Sequence, residues 1–174
     1  MKYVSSLALV VSLAVVSACG GTDSPSTPSG SGTQIFTAAL RPSEEVPAVT
    51  GAESAGSGTA TITLNVAKDS AGNVTSATAT FAVNLNGFPT ATPINMAHIH
   101  QAAAGQSGNV VVSTTLAPGE VTLNGGSGSF NRSGIAVTPE IASQLMTNPA
   151  GFYFNVHSTL NPSGAARGQL VRVQ

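Results

Sequence analysis

The 174-residue sequence predicts an all-β domain, a sandwich or a barrel, carried behind an N-terminal leader and a tether. Three observations support this. Apolar and polar residues alternate over short segments, the period of a strand that buries one face. Those segments are rich in Val, Ile, Thr and Phe and are punctuated by Gly, Pro, Asn and Asp. Helical start and stop signals occur together in one stretch alone.

In chain order, residues 34–40 alternate Phe36, Ala38 and Leu40. Residues 58–66 set Ala60, Ile62, Leu64 and Val66 against Thr59, Thr61, Thr63 and Asn65, and after the turn at 68–73 the alternation resumes over 74–85, which predicts a hairpin with a longer loop. Further strands are expected at 94–100, 109–116 and 121–123, with a glycine-rich break at 125–128. The one helix, near 139–146, has Thr138 as N-cap, Pro139 at its first position and Glu140 in its first turn. Ile141 and Leu145, four apart, face the core, and Asn148-Pro149-Ala150-Gly151 ends the helix. Strands at 152–157 and 167–173 complete the domain, and so many short strands at this spacing point to two packed sheets or a closed one.

The leader is legible separately. Lys2 precedes an apolar run, residues 7–16, of signal-peptide length and too short to span a bilayer. Val16-Ser17-Ala18-Cys19 resembles the cleavage site of bacterial lipoproteins, in which the cysteine becomes the lipid attachment point. Cys19 is the single cysteine, so no intrachain disulfide can form. The expected division is a signal peptide at 1–18, a lipidated Cys19 with a Gly/Ser/Pro tether to residue 33, and a domain at 34–174. The mature chain is then extracytoplasmic and held to a membrane by lipid. Gly20 stands where an inner-membrane retention signal prefers Asp, which favours the outer membrane if there are two. Periplasmic and surface display both remain open.

Charged residues make up only 7% of the chain and the formal net charge is −1, with no basic patch among aromatics. A nucleic-acid partner is not expected.

The three histidines fall in two segments, Met96-Ala97-His98-Ile99-His100 and Phe152-Tyr153-Phe154-Asn155-Val156-His157. The spacing puts His98 and His100 on one strand face, and Tyr153, Asn155 and His157 on one face of the second strand. If the strands come together, three imidazoles meet at one end of a sheet. Neutral imidazoles can bind zinc or copper with a position left open. Alternatively they hydrogen-bond carbonyls and pin loops. Met96 shares the face of His98 and His100, either as a soft neighbour for copper or as core. Nucleophilic catalysis finds no support. Ser158 and His157 are adjacent and point to opposite faces. The only aspartates, Asp23 and Asp69, fall in the tether and a turn. No glycine pattern opens a phosphate-binding helix.

A family resemblance rests on particular residues: Ala97-His98-Ile99-His100, Ala103-Ala104-Gly105, Gly108-Asn109-Val110-Val111, Asn155-Val156-His157-Ser158, Asn161-Pro162, Gly164, Arg167-Gly168-Gln169-Leu170, and the early Leu40-Arg41-Pro42-Ser43-Glu44-Glu45-Val46-Pro47. Together they resemble the CHRD domain, the module first described in chordin. The resemblance implies an immunoglobulin-like Greek-key β-sandwich, with similarity to copper–zinc superoxide dismutase. It implies no activity. In the dismutases a His-x-His strand and a later Val-His segment supply copper ligands, and an arginine precedes the last strand. His98, His100, His157 and Arg167 follow that order. No fourth histidine, zinc set or bracing cysteine pair accompanies them, so a working dismutase is not expected. Arg167 is expected to brace a loop through its five donors or to bind an anion. The expected function is a tethered, non-enzymatic binding or structural module that meets protein or glycan partners through its loops. The alternative is a copper- or zinc-binding protein built on His98, His100 and His157, with redox chemistry open to it.

Overall fold

The computed structural model describes residues 30–174; the leader, Cys19 and most of the tether lie outside the described residues. Ten strands and one α-helix follow in order: β1 (Gly30–Leu40), β2 (Ser57–Lys68), β3 (Val74–Asn86), β4 (Thr92–Gln101), β5 (Asn109–Ser113), β6 (Val121–Leu123), β7 (Gly128–Val137), α1 (Pro139–Thr147), β8 (Phe152–Ser158), β9 (Ala166–Gln169) and β10 (Val171–Arg172). They form an all-β sandwich. One sheet has the order β10-β1-β2-β3-β7 and the other β5-β4-β8-β9, with β6 also paired to β4. Every pairing is antiparallel. The order β10-β1-β2-β3 is a Greek key: three consecutive strands, and a fourth that returns by a long route to lie beside the first.

The alternation drives this packing. Phe36, Ile62, Leu64, Phe81 and Leu85 on the first sheet are at most 1% exposed, as are Ile94, Ile99 and Phe154 on the second. Each such side chain contributes about 1.5–3 kcal/mol by leaving water. Phe81 and Phe154 meet across the sandwich with ring centroids 5.7 Å apart. Helix α1 starts where its cap predicts, the Thr138 hydroxyl accepting from the Ile141 N–H at 3.3 Å. Ala142 and Leu145 carry its buried face, while Ile141 is only partly buried.

Four elements differ from the sequence expectation. β1 begins at Gly30, four residues into the stretch read as tether, because Gly30 to Thr33 pair with Lys68 to Asn65 at the end of the long β2. β5 stops at Ser113, where Thr115 turns the chain at φ 59°. The segment 167–173 divides: β9 belongs to the second sheet, buried Leu170 is the crossing point, and β10 joins the first. Strand β7 was not expected at all. Against Thr80 of β3 it places two residues, Ser133 and Gly134, a bulge that needs the left-handed φ of 69° at Gly134. The bulge flips the phase of its buried positions from Phe130 to Val137, so no alternation runs through the segment.

Candidate metal centre

The two histidine segments are neighbours: β4 and β8 pair antiparallel, with Met96 opposite His157, His98 opposite Asn155 and His100 opposite Tyr153. A bulge decides which way these side chains face. Between the pairs Ile94↔Ser158 and Met96↔His157 strand β4 carries one extra residue, Asn95. Simple alternation would put Ile94 on the histidine face. The bulge instead sends Ile94 into the core with Ala97 and Ile99, and turns Met96, His98 and His100 away from it. The histidines therefore lie on the outer face of the second sheet, not at its end.

That outer face is not open to water. His100, Tyr153, Asn155, His157 and Arg167 are all at most 8% exposed. The covering comes from the loops at 41–50, 102–108 and 159–165. His100 Nδ1 donates to the Gly108 carbonyl at 2.9 Å, and His157 Nδ1 to the Pro162 carbonyl at 3.0 Å. Tyr153 stacks on His100 with centroids 4.8 Å apart and 7° between planes, and its hydroxyl accepts from the Gly108 N–H at 3.3 Å.

The ring nitrogens of the three histidines come together, one from each within 4.8 Å of the others. A carbonyl only accepts, so Nδ1 of His100 and of His157 carries the proton, and in the neutral ring Nε2 holds the lone pair. Those two Nε2 atoms are buried without a hydrogen-bond partner in the chain, as is Nδ1 of His98. Among the described residues six buried side-chain polar atoms lack a partner: Glu45 Oε1, Glu53 Oε1, His98 Nδ1, His100 Nε2, Asn155 Oδ1 and His157 Nε2. All but Glu53 Oε1 belong to this one patch. Buried groups left unpaired are costly, and such a concentration calls for a reason.

The electrostatics keep the rings neutral. Burial lowers the pKa of His98 to about 4, with the neighbouring His157 and His100 adding to it. Burial also lowers His100 and His157, against the opposing effect of their carbonyl bonds. Neutral imidazole is the form that ligates.

The residues fit a metal ion. Around one ion with bonds of about 2.0–2.1 Å, tetrahedral ligands stand about 3.3 Å apart, so the rings need to close by up to roughly 1.5 Å. His98 can supply that movement, since it is only part-buried and its Nδ1 is unbound. His100 and His157 are already oriented, each with its second nitrogen on a carbonyl, the usual outer-shell partner of a metal-ligating histidine. Pinning loops and offering a ligand nitrogen are thus compatible roles for one ring.

Arg167 is 2% exposed and makes loop contacts. Its Nε donates to the Glu44 carbonyl and its Nη1 to the Gln106 carbonyl at 2.9 Å, while the guanidinium carbon sits 4.4 Å from the centre of the Tyr153 ring. Arginine, tyrosine and His100 form one stack. Sequence reasoning missed Glu45 as part of this site. Its carboxyl lies 3.5 Å from Asn155 Nδ2, and burial raises its pKa to about 7 against the lowering effects of Arg167 and Asn155. Gly164, at φ 151°, faces that carboxyl, and a Cβ there would overlap it. Ser158 is taken up elsewhere, donating to Glu53 Oε2 at 2.7 Å. Met96 is not core: it is 37% exposed on the histidine face. Among the described residues no helix is long and apolar enough to cross a membrane.

No curated protein and no solved structure matches the chain. The family model of the CHRD domain matches residues 36–170, which takes in the whole sandwich core, both histidine strands and Arg167. The chain belongs to the CHRD domain family.

Proposed function

We propose that this CHRD domain is a non-enzymatic binding module whose ligand is a transition-metal ion, copper or zinc, held by His98, His100 and His157. The observation that supports this best is the convergence of the three rings, one nitrogen of each within 4.8 Å of the others, where every ring also carries a buried nitrogen with no partner in the chain. Metal linkage supplies the test. In wild-type protein the melting temperature should rise with added copper or zinc, because an ion that binds the folded state alone stabilises it by mass action. His98→Ala should remove the rise while leaving the apo melting temperature nearly unchanged, since that ring's buried nitrogen makes no hydrogen bond. A wild-type melting temperature indifferent to both metals would end this reading. Binding should also weaken as pH falls, as protons compete for the same nitrogens.

The same proposal places the domain outside the cytoplasm, anchored through a lipid on Cys19, with the outer membrane favoured where there are two. The support is the Val16-Ser17-Ala18-Cys19 motif and the Gly/Ser/Pro-rich stretch after it. Cys19→Ser should move the protein from the membrane fraction to the soluble one. Wild-type protein found soluble and unacylated in a lipoprotein-processing bacterium would refute the anchor.

A further inference from the structure

We propose that Met96 supplies a thioether sulfur to the three-histidine site and makes it selective for copper in its monovalent state. This inference rests on the metal-binding reading above and narrows it to one ion.

The argument starts from the bulge. Without the extra residue on β4, one of Ile94 and Met96 would lose its present face, because the two are separated by an even number of positions. With it, Ile94 is fully buried and Met96 stands on the opposite side, 37% exposed. The sequence thus keeps a large apolar side chain out of the core. Its position is specific: Met96 is the cross-strand partner of His157 and lies two residues before His98 on the same face. Opposed Cβ atoms on paired strands are about 4.5–5.5 Å apart, within reach of an unbranched side chain with three rotatable bonds. The other outward residues along this row, His98, His100, Tyr153, Asn155 and His157, all carry hydrogen-bonding atoms. Met96 carries only a thioether.

The donor chemistry then selects the ion. Zinc is bound by thiolate, imidazole and carboxylate, whereas thioether is a soft ligand that favours Cu(I). The cluster itself contains histidines alone, and the one carboxyl of the patch, Glu45, is bonded to Asn155 and is not among its members. Three neutral imidazoles and a thioether form an uncharged set, which favours a monovalent ion over a divalent one when both must leave water. Met96 is also the most exposed member of this set.

The test uses the full chain carrying Cys19→Ser, which removes its only thiol, purified and handled without oxygen. Cu(I) and Zn(II) affinities are measured by competition against chromophoric chelators, for this protein and for the added Met96→Leu. The leucine variant conserves volume at an exposed position, and its apo melting temperature reports that the fold is intact. The expected result is a loss of Cu(I) affinity of about tenfold or more, with Zn(II) affinity unchanged. X-ray absorption at the copper edge should show a sulfur neighbour in the parent that the leucine variant lacks. Cu(I) affinity that survives Met96→Leu but is lost in His98→Ala overturns the role of Met96 and leaves the metal site standing. A parent protein that binds neither ion overturns both.

Discussion

The outer faces of the two sheets come from strands of similar alternation and have opposite fates. On the first sheet Thr37, Thr61 and Ala82 stand in one cross-strand row, and Thr63 pairs with Thr80 in the next. All of these are partly exposed. They are small, uncharged and held by few partners. On the second sheet the corresponding face carries His100, Tyr153, Asn155, His157 and Arg167, and every one of them is buried. Strand β8 is buried at all seven of its positions, on the core side by the sandwich and on the other by loops. A polar sheet face turned to water needs only solubility. One roofed by loops must have its polar atoms paired, and here five of them are not. That contrast sets the second sheet apart as the one that carries the candidate site.

The sharpest way to break the comparison is to remove the tie that holds the roof. Arg167→Met deletes two carbonyl bonds and the stack on Tyr153, and leaves Glu45 without its neighbouring cation. The expected cost in urea denaturation is about 3 kcal/mol, the range for breaking a buried charged network. Arg132→Met, which loses a surface pair with Glu120 and a bond to the Asn131 carbonyl, should cost about 1 kcal/mol or less. Equal effects would show that the loops are not held through Arg167.

A smaller effect should appear in the pH dependence. The Glu45 carboxyl, raised to about 7, is protonated in the folded state where the unfolded chain has already ionised. Its contribution to stability is present below the unfolded value near 4.5 and is lost as pH rises from there through 7. His98 has the opposite slope. Lowered to about 4, it is neutral in folded and unfolded chain alike above the unfolded value near 6.5, and stability is lost as pH falls from there towards 4, where only the unfolded chain takes up the proton. The two oppose each other between pH 4.5 and 6.5. Glu45→Gln removes one slope and keeps the other. Relative to wild type, its stability at pH 8 minus that at pH 5 should shift upward by on the order of 1 kcal/mol. Parallel pH curves for the two proteins would place Glu45 outside the buried network.

The smallest effect belongs to the open face. Thr61→Val replaces a partly exposed hydroxyl in a strand with another β-branched side chain, and should change stability by no more than about 0.5 kcal/mol at either pH. A loss well beyond that would mean the first sheet is covered too, and the contrast drawn here would fail.

The sequence by itself determined the features whose causes lie within a few residues. Strands β2 and β3 were legible because water on one face and core on the other impose a period of two. Helix α1 was legible because Thr138 and Pro139 act on the turn that follows them. Even the shared face of Tyr153, Asn155 and His157 could be read from spacing alone. Tertiary structure decided the rest. The bulge at Asn95 that turns the histidines outward follows from how β4 must match β8, about sixty residues later. β7 was hidden because the bulge at Gly134 breaks its period. Glu45 reaches Asn155 across 110 positions, and Arg167 reaches Glu44 across 123. Periodicity reports whether a side chain faces the core or not. Whether the other side meets water or a roof of loops depends on contacts between distant segments, and that coverage is what lowers the histidine pKa values, raises that of Glu45 and leaves the ring nitrogens unpaired.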